Sequence, residues 1–234
     1  RFLIGLALLV CIQGVPFSIS AQRIIYSDPE KEDNRRLNFE IVGRIGGNFL
    51  VFKNNRFRSW ITVMDEEMQV TSREELGYLP NADRTINVDF FPYADFAWMI
   101  YQYQRRNVVY CIAAKIDKMG RRMGDLIELD TTHLGFASDN RLYAVTGSED
   151  RKKIAVVKVN SRDRDLYHMT SFVFNDKMEL LRSAQANIVM EDRTTQLGEM
   201  VIDNEGTLVF TRFHRTFNDN ISKASLLYQR LGED

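Results

Sequence analysis

Apolar residues along this chain come in short runs, not on a helical stripe. Beyond a polar stretch at 27–36, the runs fall at 39–45, 49–53, 60–64, 86–91, 96–103 and 108–116. They continue at 126–129, 142–146, 154–159, 167–174, 200–202 and 208–213. Val, Ile, Phe, Tyr and Trp dominate them, and Gly, Asn and Asp separate them, which is the texture of β-strands. Only the segment 221–231 has a spacing that also suits a helix. The polar joints at 46–48, 53–56, 139–140 and 203–206 are short enough to reverse antiparallel neighbours, so the pattern predicts a meander. Two runs, Phe96-Ala-Trp-Met-Ile-Tyr101 and Ile154-Ala-Val-Val157, do not alternate with polar residues. Strands of that kind are covered on both faces, whereas a sheet exposed on one side alternates.

One phrase recurs. Val63-Met-Asp-Glu-Glu-Met68 is echoed by Lys115-Ile-Asp-Lys-Met-Gly120 and by Val173-Phe-Asn-Asp-Lys-Met178, with intervals of 52 residues from Asp65 to Asp117 and 59 from Asp117 to Asp176. Each copy places an acidic turn between two apolar runs. A second phrase, a strand, a tight turn and another strand, opens the candidate units at 41–52 and 201–210. A repeat of this length made of strands is the signature of a β-propeller blade with long connections. The sequence therefore predicts an all-β fold, a partial β-propeller of three to four four-stranded antiparallel blades belonging to a longer ring. The blades are drawn at 39–80, 86–134, 140–190 and 197–234, the last incomplete. A β-sandwich with coincidental turn repetition is the alternative.

The hairpin Ile202-Asp-Asn-Glu-Gly-Thr-Leu-Val209 and the strand entry Asp139-Asn-Arg-Leu-Tyr-Ala-Val145 resemble strand pairs of secreted bacterial β-propeller-like repeat proteins. Phe172-Val-Phe-Asn-Asp-Lys-Met-Glu-Leu-Leu181 is similar to outer-strand hairpins of large exported propeller-like proteins of Gram-negative bacteria. The resemblance spans most of 39–215 and implies an architecture without an activity.

The first residues are of a different kind. Arg1, the apolar run 2–12 and the polar-leaning stretch ending Ser18-Ile-Ser-Ala-Gln22 read as a secretory signal peptide over 1–21, cleaved after Ala21, followed by a polar arm over 22–38. The run is too short to cross roughly 30 Å of hydrocarbon as a helix, so no transmembrane segment is expected in this stretch. Export to the periplasm, outer surface or extracellular space follows. Cys11 lies inside the leader and follows Val10, where a lipid-anchoring signal wants a small residue. Cys111 is then the one thiol of the mature chain, so no intramolecular disulfide forms. Lys and Arg number 31 against 32 Asp and Glu, a balance that supplies no field for nucleic acid.

Candidate chemistry is thin. His133, His168 and His214 lie in separate units without zinc-ligand spacing. The loops Asn160-Ser-Arg-Asp-Arg-Asp165 and Asn218-Asp-Asn220 carry oxygen ligands, which makes calcium the one cofactor to consider, but both lack the glycine and distant glutamate of a helix-loop-helix site. Gly43-Arg-Ile-Gly-Gly47 has no following Lys-Ser or Lys-Thr, and Gly147-Ser-Glu149 has no second glycine, so phosphate cradling and serine hydrolysis lack local support. The surface candidate is Trp98-Met-Ile-Tyr-Gln-Tyr-Gln-Arg-Arg106. Within it Trp98, Tyr101, Tyr103, Arg105 and Arg106 suit a sugar or peptide partner, and packing between blades is the competing use. The expected function is a non-catalytic binding or scaffold module for a protein or glycan. A propeller enzyme acting on carbohydrate or lactone, and the sensory ectodomain of a longer membrane receptor, are the alternatives.

Overall fold

The computed structural model describes residues 23–29, 37–55, 57–81, 84–134, 142–162, 166–190, 194–216 and 220–230. The leader over 1–21 and the turn at 139–140 lie outside them, as do most of the two oxygen-rich loops. Among the described residues all regular structure is β. Sheet I contains β1 (Asn38–Ile45), β2 (Asn48–Asn54), β3 (Ser59–Met64) and β4 (Val70–Glu75). Sheet II contains β5 (Thr85–Pro92), β6 (Phe96–Arg105), β7 (Val108–Asp117) and β8 (Arg122–His133). Sheet III contains β9 (Tyr143–Gly147), β10 (Lys153–Arg162), β11 (Leu166–Asn175) and β12 (Leu180–Val189). Sheet IV contains β13 (Thr195–Ile202), β14 (Leu208–Arg215) and β15 (Ile221–Gln229). Each sheet is an antiparallel meander in chain order, and the four form a partial β-propeller. The segment with helix-compatible spacing is β15: it pairs with β14 from Leu208↔Gln229 to Arg215↔Ile221, and this ladder outweighs a weak helical periodicity.

The repeated phrase is a repeated turn. Asp65 Oδ1 accepts the backbone N–H groups of Glu67 (3.0 Å) and Gln69 (2.8 Å), and Asp117 Oδ1 those of Met119 (2.8 Å) and Arg121 (2.9 Å). Asn175 Oδ1 accepts those of Lys177 and Glu179, both at 2.9 Å. The third copy is therefore led by Asn175, one residue before the Asp176 from which the sequence spacing is counted. Asp203 holds Thr207 N–H in the same way between β13 and β14. The residue three places on takes a positive φ in every case, at Met68 (57°), Gly120 (75°), Met178 (62°) and Gly206 (97°). This is a turn closed by a bulge residue in the left-handed region, with the side-chain oxygen replacing a missing backbone partner.

The sheets stack face to face. Sheet I sends Leu50, Phe52, Ile61 and Val63 against Met99, Tyr101, Ala114 and Ile116 of sheet II. The other face of sheet II, with Trp98, Ile100, Val109 and Cys111, meets Tyr143, Ile154, Val156 and Phe174 of sheet III. Sheet III turns Ala155, Val157 and Val173 towards Ile202, Leu208 and Phe210 of sheet IV. First strands of neighbouring sheets touch, β1 with β5 and β9 with β13. They finish at one end: Gly46 N–H donates to Ala94 O at 2.7 Å, and the β9–β10 turn reaches the β13–β14 turn through Asp150 N–H and Asn204 Oδ1 at 3.0 Å. That end carries the turns led by Asp65, Asp117, Asn175 and Asp203. The opposite end carries the connections between sheets and the turns between second and third strands, the two-residue β6–β7 turn among them.

Gly120 and Gly124 both have positive φ, but a Cβ at Gly120 would lie 2.7 Å from Ile61 of sheet I, while one at Gly124 meets nothing within 4 Å. Gly124→Ala should cost about 1 kcal/mol, the conformational penalty alone. Gly120→Ala should cost about 2–4 kcal/mol, because overpacking adds to that penalty. Urea denaturation of the two variants measures the difference, and equal losses would mean that the sheet II turn does not press on sheet I.

Candidate functional site

Two clefts open between first strands, one at each end of the stack. At the end that carries the sheet connections, a cavity of about 280 Å³ lies between β1 and β5, lined by Asn38, Glu40, Phe52, Asn54, Thr85 and Asn87 among others. Antiparallel pairing sets this composition: Asn38 pairs with Asn54 at the open end of the β1–β2 ladder, where polar residues replace the apolar core. Asn87 Nδ2 donates to Asp89 Oδ2 at 2.7 Å, and Thr85 Oγ1 to Pro80 O at 3.0 Å, so both side chains are held in place. Asn54 Oδ1 is buried without a hydrogen-bond partner. Three amides, a carboxylate and a hydroxyl around one cavity offer donors and acceptors side by side.

The second cleft, of about 210 Å³, lies between sheets II and III at the end that carries the β5–β6 and β9–β10 turns. Phe91, Pro92 and Tyr93 form one wall, and Gly147, Ser148, Arg151 and Lys153 the other. A Cβ at Gly147 would lie 3.0 Å from the Phe91 ring, so glycine lets the ring approach the strand. Tyr93 stacks on Phe96 (4.6 Å, 13°), and its phenol is pushed up to about 12, first by burial and then by the Asp176 carboxylate. Arg151 Nη1 donates to Pro92 O at 3.1 Å, tying the two walls together. Ser148 Oγ donates to Asp150 Oδ1 at 2.7 Å and accepts from Lys153 N–H at 3.0 Å. That hydroxyl is occupied by its own turn.

No protein-family model and no curated protein matches this sequence. Solved structures give similarities at low identity. A prolyl endopeptidase aligns with 85% of the chain at 12% identity and a TM-score of 0.47, and the chain spans 28% of that protein. The endo-arabinase of Bacteroides thetaiotaomicron aligns with 82% at 12% identity and a TM-score of 0.43, with 73% of its own length covered. Prolyl oligopeptidase B from Galerina marginata aligns with 76% at 11% identity and a TM-score of 0.38, with 23% of its length covered.

The aromatic and basic segment on β6 is divided by strand alternation. Trp98, 4% exposed, faces sheet III, where its Nε1–H donates to Asp176 O at 2.9 Å. Tyr101, 1% exposed, faces sheet I. Both serve as packing between sheets. Tyr103 is half-buried and stacks on Tyr110 (5.0 Å, 11°), and its backbone pairs with Thr85, a residue of the amide cleft. Arg105 and Arg106 are exposed at the β6–β7 turn, at the same end of the stack. The structure therefore brings Tyr103, Arg105 and Arg106 to the end that holds the amide cleft and separates Trp98 and Tyr101 from them.

The cleft asparagines had no sequence signal beyond their position at strand ends. Gln102, an amide within the 98–106 segment, is not at the surface: it is fully buried and clamps the first strand of sheet III. Its Oε1 accepts Tyr143 N–H (2.8 Å) and Leu142 N–H (3.1 Å), and its Nε2–H donates to Tyr143 O (2.6 Å). The histidines do not converge: His133 is exposed at the end of β8, His168 Nδ1 lies 2.7 Å from Asn187 Oδ1, and His214 Nδ1 lies 3.1 Å from Thr195 Oγ1. Among the described residues no group of three or more His, Cys, Asp or Glu side chains could hold a metal ion. Cys111 is fully buried between sheets II and III.

An ionisable cluster also lies between those sheets. Lys158 Nζ pairs with Asp130 Oδ2 and donates to Thr132 Oγ1 at 3.0 Å, while Tyr143 OH donates to Asp130 Oδ2 at 2.7 Å. Burial is the first cause that raises the Tyr143 phenol far above its ordinary range, with the Asp130 carboxylate adding to it. Lys158→Met should cost about 2–4 kcal/mol, since Asp130 would keep a poorly hydrated charge. A double-mutant cycle with Asp130→Asn should return a coupling of about 1–3 kcal/mol in chemical denaturation. Additive losses would show that the pair does not join the sheets.

Proposed function

We propose that this chain is an exported, non-catalytic binding or scaffold module that offers the amide cleft between β1 and β5 to a glycan. The observation that carries the reading is the lining of that cleft: Asn38, Asn54, Asn87, Glu40 and Thr85 around about 280 Å³, next to the half-buried Tyr103 and the exposed Arg105 and Arg106. Sugar hydroxyls are donors and acceptors at once, and amides match them on both counts. A rigid stack of sheets holds the side chains in place before the ligand arrives, which lowers the entropic cost of binding. A peptide is the other partner class that amides and arginines would suit.

A propeller enzyme acting on carbohydrate or lactone is the second reading, and the Asp130–Tyr143–Lys158 cluster is the observation that favours it. Its groups, however, satisfy one another between two sheets. A glycan array followed by calorimetry separates the readings. Binding without release of reducing ends is expected, and Asn54→Ala with Asn87→Ala should weaken it about tenfold, or 1.4 kcal/mol. Turnover that disappears in Asp130→Asn would replace the binding reading with the enzymatic one. Absence of any glycan or peptide ligand would remove the cleft from consideration.

Export by the 1–21 leader belongs to the same proposal, and so does presentation outside the inner membrane, either free or as the sensory ectodomain of a longer receptor. Among the described residues no helix is long and apolar enough to cross a membrane. N-terminal sequencing of the protein from an exporting bacterial host should begin at Gln22. An intact leader on cytoplasmic protein would sink the export reading.

A further inference from the structure

The cleft between sheets II and III gathers charges that the fold leaves unmatched. Glu149, Arg151 and Lys153 all line it, and among the described residues none of them is in an ion pair. Cations elsewhere are matched, as Arg44 is by Glu66 and Lys158 by Asp130. Arg151 and Lys153 are held by backbone carbonyls instead: Arg151 Nη1 donates to Pro92 O of sheet II at 3.1 Å, and Lys153 Nζ to Asn204 O of sheet IV. A guanidinium and an ammonium each carry several N–H donors, so one such bond positions the group and leaves its charge and further donors to spare. Of the other carboxylates nearby, Asp150 is engaged by Ser148 Oγ and Lys152, and Asp176 is exposed outside the lining. The opposite wall is apolar. Phe91 and Tyr93 alternate onto one face of sheet II, with the Phe91 ring close to Gly147 and Tyr93 stacked on Phe96.

We propose that this cleft binds a compact organic monocarboxylate with an apolar body, its carboxylate at Arg151 and Lys153 and its body against Phe91, Pro92 and Tyr93. A carboxylate accepts from two cations at once, and such charge-assisted bonds are the strong ones. In a half-enclosed cleft they are also screened less than on an open surface. The carbonyls of two different sheets hold the cations in place before the ligand arrives, which lowers the cost of ordering them. An apolar body then displaces water from the aromatic wall. Glu149 sets the charge of the ligand, because its unmatched carboxylate repels a second negative group. Size sets the rest: about 210 Å³ is below the roughly 300–1,000 Å³ of sites for drug-sized ligands, so one ring or branched chain fills it. The amide cleft lies at the other end of the stack, so the proposal does not depend on its ligand.

The test is a heteronuclear NMR titration of the chain with hydrocinnamate, its neutral amide and the dianion phenylsuccinate. Saturable shifts at the Gly147 and Glu149 amides are expected with hydrocinnamate. The neutral amide should bind about tenfold more weakly, because it forgoes the charge-assisted bonds. Arg151→Gln should weaken hydrocinnamate by a similar factor and leave the affinity for the neutral amide unchanged. Arg151 is exposed, so the circular dichroism spectrum of that variant should match the parent. Phenylsuccinate should bind more weakly than hydrocinnamate, and Glu149→Gln should remove the difference. Absence of saturable shifts overturns the proposal, as do equal affinities for acid and amide or an Arg151→Gln variant that binds the acid as the parent does. Shifts centred on Asn54 and Asn87 overturn it too, since they place the acid in the amide cleft. Phenylsuccinate binding as tightly as hydrocinnamate overturns the preference for a single charge.

Discussion

Consecutive residues of β6 point in opposite directions, and in sheet II both directions meet another sheet. Met99 and Tyr101 enter the core shared with sheet I, while Trp98 and Ile100 enter the core shared with sheet III. Full burial of a large apolar side chain stabilises a fold by about 1.5–3 kcal/mol, so a strand buried on both sides contributes along its whole length. Sheet II would have no reason to form alone with two apolar faces in water. Each sheet therefore depends on its neighbour, as in other repeat architectures whose units bury their faces only by stacking.

Polar contacts then fix how the sheets sit on one another. Gln102 clamps the backbone of Tyr143, Trp98 Nε1 reaches Asp176 O, and Asn48 Nδ2 reaches Lys118 O at 3.2 Å from sheet I to sheet II. Apolar contact alone is non-directional and would tolerate sliding. A buried amide that loses its partner does not, because the cost of leaving it unpaired is about 1–3 kcal/mol. The Asx-led turns work with these ties. They hold the turns at one end of the stack, while the connections between sheets gather at the other, where the amide cleft lies.

Much of the fold was legible along the chain. The strands, the absence of helical stripes, the recurrent acidic turn and the non-alternating runs at 96–101 and 154–157 are local properties, and strand periodicity and turn chemistry act over a few residues. The two ends of β8, the whole of β4 and most of β12 were harder to read. Val70-Thr-Ser-Arg-Glu-Glu75, for example, is polar because it forms the edge of sheet I, and its ladder to β3 makes it a strand. The same logic explains β15, whose pairing with β14 overrode an ambiguous spacing.

The candidate site was the reverse case. Tyr103, Arg105 and Arg106 stood out as residue types, but Asn38, Asn54 and Asn87 are ordinary polar residues at strand ends, and they become one cleft only when β1 and β5 lie side by side. Strand alternation, which sends Trp98 to one sheet and Tyr101 to another, likewise has no consequence until both neighbours are in place. The sequence by itself determined the strands and the turns that join them, because those depend on side-chain and backbone preferances over short distances. Which sheet each buried face meets and which polar residues come together were decided only by the tertiary structure, because each depends on residues far apart in the chain.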